Sequence, residues 1–227
     1  MVEQLERRST FTRSQEDYLK ALYLLGGRDR PVPTRELAQR LGISSPSVSE
    51  MVTRLTAQGL VEHDRYRGQQ LTREGRKVAL ELVRHHRLLE MFLVQVLGYS
   101  LDEVHDEAER LEHVISERME ERIFELLGRP ELDPHGHAIP TLGGKLRPVS
   151  RRPLSEAKAG EKVVVQGVSD DDAGRLRELE RRGLTPGTHL AVVAGSEYEG
   201  PVEVRIKGKR EGVPLGLARA IFVSGER

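Results

Sequence analysis

The run "VPTRELAQRLGISSPSVSEMVTRLTAQGLVEHD" at residues 32–64 constrains this chain's fold more than any other stretch. Leu37, Ala38 and Leu41 recur at the spacing of one helical face, and Gly42 closes that short helix. Ser45 reads as an N-cap, with Pro46 in the first turn, where its missing N–H does no harm. Val48, Val52 and Leu55 then make the buried stripe of a second helix ending at Gly59. A short helix, a glycine turn and a longer capped helix form the helix-turn-helix pattern. "LVEHDRYRGQQLT" (residues 60–72) follows as strand, turn, strand, with Gly68 at the turn and Arg65 and Arg67 near its tip. A generic helical hairpin lacks that second part, so the pattern predicts a winged helix.

Around this motif the periodicity is mostly helical. "SQEDYLKALYLLGG" places Tyr18, Leu19, Leu22 and Leu25 at helical spacing and stops at Gly26 and Gly27. Helices are expected at residues 73–97, 101–114 and, after a Ser116 cap, up to Leu127. Leu88, Leu89, Phe92, Leu93 and Val96 form a heptad-like stripe that predicts a dimer interface. From Gly128 the chain turns rich in Pro, Gly and charge and reads as loop and linker. "EKVVVQGV", "THLAVVAGS" and "PVEVRIKGK" then read as strands of a small β-barrel, with one helix near "GRLRELERRGL". The expected class is mainly α with a small β part. Its expected domains are 1–75 (winged helix), 76–140 (helical dimerisation), 141–153 (linker) and 154–227 (barrel).

Charge is balanced overall but not along the chain. Lys and Arg outnumber Asp and Glu by 14 to 10 over residues 1–78, fall behind 6 to 14 over 79–133, and lead 16 to 12 beyond. The basic winged helix suits nucleic acid, whereas the acidic middle suits cations. With no Cys, thiolate metal sites and cysteine nucleophiles are excluded. No apolar run is long enough to span a membrane and the first residues do not read as a signal peptide, so a cytoplasmic protein is expected.

Within that acidic middle lies "VHDEAERLEHV" (residues 104–114). On a continuous helix His105, Glu109, Glu112 and His113 fall within an arc of about 100°. His86 and Glu90 share a face at i, i+4, and Asp17 sits early in the first helix. A single His–Glu pair is ordinarily a surface feature, and an acidic face is ordinarily solvated. Three such segments together point to a metal ion, with N and O donors suited to Mn, Fe, Co or Zn. His-Glu-x-x-His, paired Glu-x-x-His and phosphate-loop motifs are absent, and Gly143-Gly144-Lys145 is a lone fragment. A metal-dependent hydrolase using Glu109 or Glu112 as base is the alternative from another class. An adaptor module binding proline-rich peptides is disfavoured because the barrel offers only Tyr198 and Phe222 as aromatics.

"HHRLLE", "VHDEAERLEHVISE" and the preceding winged helix closely resemble the diphtheria-toxin-repressor family of metal-dependent transcriptional regulators. "VSDDDAGRLRELERRGLTPGT" resembles the family's C-terminal SH3-like module of the FeoA type. The resemblance implies a non-enzymatic DNA-binding homodimer, a repressor of metal-uptake genes switched on by metal, with two sites per subunit. The primary site would be Asp17, Glu109, Glu112 and His113. The ancillary site would be His86, Glu90 and His105, completed by Asp133 or by one of Asp170, Asp171 and Asp172, of which Asp171 is the candidate; His135 and His137 are expected only to shape their loop. Carboxylates at 17 and 109 resemble the manganese-responsive branch and favour Mn²⁺, without excluding Fe²⁺. Lys20 stands where some manganese regulators carry a further carboxylate, which argues against a binuclear site. The rival within regulation is a winged helix whose metal is merely structural.

On double-stranded DNA, the recognition helix would present Ser45, Pro46, Ser47, Ser49 and Glu50 to the major groove. Arg54, Arg65 and Arg67 would meet phosphates. Modest base readout is expected, with dimer spacing and DNA shape supplying much of the specificity.

Overall fold

The structure is a computed structural model and describes residues 11–196 and 200–226, so Tyr198 lies outside the described residues. The chain forms two compact units, one from residues 1–86, 112–121 and 140–145, the other from 87–111, 122–139 and 146–227.

The first unit holds α1 (Arg13–Leu24), α2 (Thr34–Leu41), α3 (Ser45–Ala57) and the antiparallel hairpin of β1 (Val61–Asp64) and β2 (Gly68–Leu71). A capping box between Thr12 and Gln15 starts α1. Gly42, left-handed at φ 67°, ends α2. The cap of α3 is Ser44 rather than Ser45: its hydroxyl accepts from the Ser47 N–H, and Ser45 opens the helix with Pro46 behind it. Tyr18, Leu19 and Leu22 of α1 pack with Leu37, Val48, Val52, Leu55, Val61 and Leu71 into one core. Each fully buried Leu there contributes roughly 1.5–3 kcal/mol. Val32 bridges Gln69 and so widens the hairpin into a wing of three extended segments.

The long helix α4 (Arg73–Gln95) passes from the first unit into the second. The predicted dimer stripe is only partly free: Leu88, Leu89 and Leu93 are buried within the chain, while Val96 and the neighbouring Leu97 remain exposed. The helix predicted for 101–114 is shorter, because α5 covers Val104–Leu111 and Glu112, His113 and Val114 form a turn. Glu112 and His113 spend their side chains on partners outside the helix, described below. The helix capped by Ser116 is α6 (Glu117–Leu126), as the Ser116 hydroxyl accepts from the Met119 N–H.

In the second unit a five-stranded antiparallel sheet runs in the order β6-β5-β4-β3-β7: β3 Lys162–Val168, β4 His189–Ala194, β5 Val202–Ile206, β6 Lys209–Val213, β7 Ile221–Gly225. Helix α7 (Ala173–Arg181), capped by Asp172, links β3 to β4, and α8 (Leu215–Ala220) links β6 to β7. Alternating residues of the strands, Val163 and Val165 among them, bury against Leu176 and Leu179 of α7. The polar loop after α6 is not a solvated linker throughout, since Asp133, His135 and His137 are buried.

Gly68 has φ 108°, and a Cβ built there would lie 2.1 Å from the Val32 carbonyl oxygen. Replacing Gly68 with Ala is therefore expected to cost about 1–3 kcal/mol, read as a lower urea midpoint with an unchanged slope.

Candidate metal centres and DNA-facing surface

Helix α1 has two working faces. Tyr18, Leu19 and Leu22 enter the winged-helix core, and Glu16, Asp17 and Lys20 occupy an arc of about 100° on the other side. Opposite that arc stand Glu112 and His113 of the turn and His86 of α4. The Lys20 ammonium donates to both oxygens of Glu112 at 2.8 Å and lies 3.1 Å from His86 Nδ1. His86 Nδ1 is also 2.5 Å from Glu112. His113 approaches Glu16 at 2.6 Å through Nδ1 and Asp17 at 2.9 Å through Nε2. Glu112 is wholly buried and Lys20, Glu16 and His86 nearly so. Such a set of charges survives burial only by mutual compensation.

One ligand atom each from Asp17, Glu112 and His113 lies within 4.8 Å of the others, the span of a single ion's coordination shell. His113 Nε2 is buried and meets Asp17 as an ion pair at 2.9 Å without making a hydrogen bond. Burial alone would lower the His113 pKa, but the carboxylates of Asp17 and Glu16, with Glu112 nearby, raise it to about 9. At neutral pH the imidazolium therefore supplies positive charge where a cation fits. The oxygen and imidazole donors suit a hard or borderline divalent ion. Sequence reasoning missed Glu16; a carboxylate one residue before Asp17, on the same side of the helix, was the available signal.

The second unit contains another such centre. Glu90, Asp133 and His135 are all buried, with ligand atoms within 4.8 Å of one another. Asp133 Oδ1 accepts the N–H groups of His135 and His137 at 2.9 and 2.8 Å, which curls the loop back on itself. Gly136 permits this at φ 87°; a Cβ there would stand 2.0 Å from the Gln166 carbonyl oxygen on β3. His135 Nε2 lies 3.1 Å from the Leu101 carbonyl, which directs Nδ1 toward Glu90 at 3.6 Å. His135 Nδ1 and Asp133 Oδ2 make no hydrogen bond, although both are buried. Burial lowers the His135 pKa, yet Glu90 and Asp133 outweigh it and lift it to about 9. Arg87 lies 3.4 Å from the same Asp133 Oδ2.

Asp17, Glu112 and His113 come together, as do Glu90 and Asp133, with His105 Nδ1 3.4 Å from Glu90. Glu109 is on α5, its oxygen 3.9 Å from His105 Nε2. His86 faces Lys20 and Glu112 in the first unit. Two expectations are corrected. Asp171 is not at the Glu90 cluster: it accepts from Ser169 and pairs with Arg175 beside the α7 cap, while Asp170 lies 3.6 Å from His137. His135 does more than shape its loop, because its ring belongs to the cluster.

Ser45, Pro46, Ser47, Ser49, Glu50 and Arg54 are exposed along α3, and Arg65 and Arg67 at the wing tip. Asp64 Oδ1 accepts from the Tyr66 and Arg67 N–H groups and rigidifies that tip. Glu50 pairs with Arg54, and the hydroxyls of Ser47 and Ser49 bond Ser44 and the Ser45 carbonyl, so these side chains are held by their own helix. Tyr18 of α1 reaches the Ser47 carbonyl at 3.4 Å.

Residues 10–69 match the family described as iron dependent repressor, N-terminal DNA binding domain, and residues 72–141 its metal binding and dimerisation domain; residues 152–225 match the FeoA domain. The chain is 32% identical over 220 residues to the diphtheria toxin repressor of Corynebacterium glutamicum, covering 92% of this chain and 94% of that one. It is 40% identical over 189 residues to the iron-dependent repressor IdeR of Mycobacterium tuberculosis, covering 78% and 82%. Among solved structures, a manganese-dependent transcriptional repressor in complex with manganese is 40% identical with a TM-score of 0.83, covering 93% of this chain and all of that one. The manganese regulator SloR is 33% identical with a TM-score of 0.73, covering 93% and 98%.

The raised pKa values set a pH dependence for the metal-free protein. An imidazole held at about 9 stabilises the fold fully below its ordinary value near 6.5, and that contribution fades as pH rises through 9. The chelator-treated protein is expected to lose stability between pH 6.5 and 9.5, on the order of 2–3 kcal/mol per histidine at most. Urea unfolding across that range checks this, and His113→Gln should flatten the curve.

Proposed function

The chain belongs to the iron dependent repressor family and is a metal-dependent, DNA-binding transcriptional repressor; on that premise we propose that it senses Mn²⁺, or Fe²⁺, at two sites per subunit. It would act in the cytoplasm as a homodimer on operators of metal-uptake genes. The observation that carries this reading is the double duty of α1. The helix that supplies Asp17 to a cluster of metal-binding donors also packs Tyr18 and Leu19 into the core beneath the recognition helix.

Asp17, Glu112 and His113 would hold the first ion, joined by Glu109 three residues before Glu112 along the chain. Glu90, Asp133 and His135 would hold the second, with His105 beside Glu90. The donors are carboxylate oxygen and imidazole without sulfur, which favours Mn²⁺ over softer late metals. When bound, a divalent cation supplies the positive charge that these carboxylates otherwise take from protons and Lys20. The work on DNA falls to the chain's own residues. With Asp17 anchored, α1 is fixed on its polar face, and Tyr18, against the Ser47 carbonyl, fixes the start of α3. Two winged helices are then presented at a constant spacing, and coupling of about 1–3 kcal/mol suffices to gate binding. Val96 and Leu97, exposed at the end of α4, are candidates for the dimer face.

Ser45, Pro46, Ser47 and Ser49 would face base edges. Arg54, Arg65 and Arg67 would meet phosphates, with Glu50 restraining Arg54.

Selection of genomic fragments by purified protein, with Mn²⁺ and with chelator in parallel, tests the reading. Discrete fragments should be enriched only with metal, and Glu112→Gln should abolish that difference; equal enrichment in both arms would leave a winged helix whose metal is structural. Arg65→Glu should weaken binding to every sequence at least ~10-fold at matched salt and lower the salt slope, since it removes a phosphate contact and adds a repulsion.

A further inference from the structure

Tyr66 stands at the apex of the wing, in the middle of the three residues that join Asp64 to Gly68. It is 92% exposed, against 75% for Val114 and Leu142, the next most exposed large hydrophobic residues among those described. Such apices ordinarily take Gly, Asn, Asp or Ser, which suit a turn's backbone and need no packing partner. One exposed ring means little by itself, but the setting of this one gives it a direction. The turn beneath it is fixed: Asp64 Oδ1 accepts the Tyr66 N–H at 2.8 Å and the Arg67 N–H at 3.0 Å. Gly68 seats that turn against Val32, which exchanges two backbone hydrogen bonds with Gln69 at 2.8 and 3.0 Å; Val32 and Gln69 are both wholly buried. The entropy of ordering the tip is therefore spent before any partner arrives.

Exposed arginines, Arg65 and Arg67, flank the ring on both sides. A surface that fits them offers anions along two edges and a flatter, less polar floor between, as a DNA groove does with its phosphates, sugars and base edges. Val52 and Leu55 of α3 share one core with Val61 of the wing, so a duplex holding α3 in its major groove meets the wing at the adjoining minor groove. On the reading that this chain binds DNA through α3, we propose that Tyr66 enters that minor groove and sets a preference for A·T pairs there. In the minor groove A·T and T·A show only acceptors, adenine N3 and thymine O2, to which the phenolic hydroxyl can donate. A G·C pair adds the guanine amino group, which rises from the floor against the ring. The recognition helix leaves specificity for the wing to add. The Ser49 hydroxyl donates to the Ser45 carbonyl at 3.1 Å, the Thr53 hydroxyl donates to the Ser49 carbonyl at 2.9 Å, and Glu50 is paired with Arg54.

The test uses the full chain with Mn²⁺ in every arm and the minimal duplex trimmed from the strongest genomic fragment that the protein selects. The major-groove core is kept, and the base pairs bordering it are built as A·T, as G·C or as inosine·C. Inosine lacks the guanine amino group, so inosine·C has the major-groove face of G·C and a minor groove open like that of A·T. Affinity is read by fluorescence anisotropy at several salt concentrations. The unaltered chain should bind the G·C-flanked duplex about 5- to 20-fold more weakly than the A·T one, with inosine·C within about 2-fold of A·T. Tyr66→Ala should bind all three alike, as weakly as the unaltered chain binds G·C, with the salt slope unchanged because no phosphate contact is lost. Arg65→Glu should lower the slope and keep the order of the three flanks. If the unaltered chain binds the three alike, or Tyr66→Ala keeps the preference, the ring does not read the groove and the proposal fails while the repressor reading stands. If inosine·C binds as weakly as G·C, the preference belongs to the major groove and the proposal fails. A salt slope that falls in Tyr66→Ala would mean that the ring only places the arginines, which also overturns it. The flanks are compared at one metal concentration, so loss of the metal gate in the genomic selection would leave a positive result standing. The Tyr66 ring is exposed, so Tyr66→Ala keeps the fold, which circular dichroism confirms.

Discussion

The first unit depends on keeping one buried carboxylate compensated. Glu112 has no access to water, and an uncompensated charge there would cost several kcal/mol. Lys20 from α1 and His86 from α4 provide the compensation, so Glu112 fastens the winged helix to the long helix that follows it. His113, next along the turn, repeats the device with Glu16 and Asp17. The junction is thus held by charge as well as by the packing of Val78 and Ala79 on the winged-helix core, and its charged part is open to any cation that competes for the same oxygens. A greasy junction of equal stability would have no such handle.

Lys20 is a cation the chain carries with it. Its ammonium donates to both Glu112 oxygens at 2.8 Å, a fixed positive charge set between α1 and the turn. A further carboxylate at that position would enlarge the acidic cluster; the ammonium instead compensates it. In the second unit the same economy appears in another form, where the Asp133 carboxylate splits its duties. One oxygen binds two backbone N–H groups and builds the loop, and the other, buried without a hydrogen bond, is held only by ion pairs to Arg87 at 3.4 Å and His137 at 3.3 Å. Buried polar atoms without a hydrogen bond are rare.

Much of this was legible from residue order. Gly42, Pro46 and Gly59 punctuate the helix-turn-helix because backbone conformation and missing N–H groups are local properties, and the hairpin around Gly68 is set by the same rules. Asp17, Glu112 and His113, whose side chains do meet, could be singled out as candidates because a run of ionisable groups at helical spacing is conspicuous, and a family resemblance tied the distant segments together. Local rules failed where tertiary partners overrode them. The helix expected through Val114 stops at Leu111 because Glu112 and His113 turn toward α1. The stripe at Leu88, Leu89 and Leu93 is spent on the chain's own core, since periodicity shows which face is apolar but not what covers it.

The amino-acid order by itself therefore determined the winged helix, the strands of the C-terminal sheet, and the oxygen and nitrogen character of the candidate donors, all of which follow from side-chain chemistry and short-range geometry. Only the tertiary structure decided which donors meet. It drew His135 into the Glu90 cluster, sent Asp171 to Arg175 and set His86 on Lys20. The reason is physical: a coordination shell is a few ångströms across, and distances that small between segments far apart in the chain are fixed by packing, not by spacing along it.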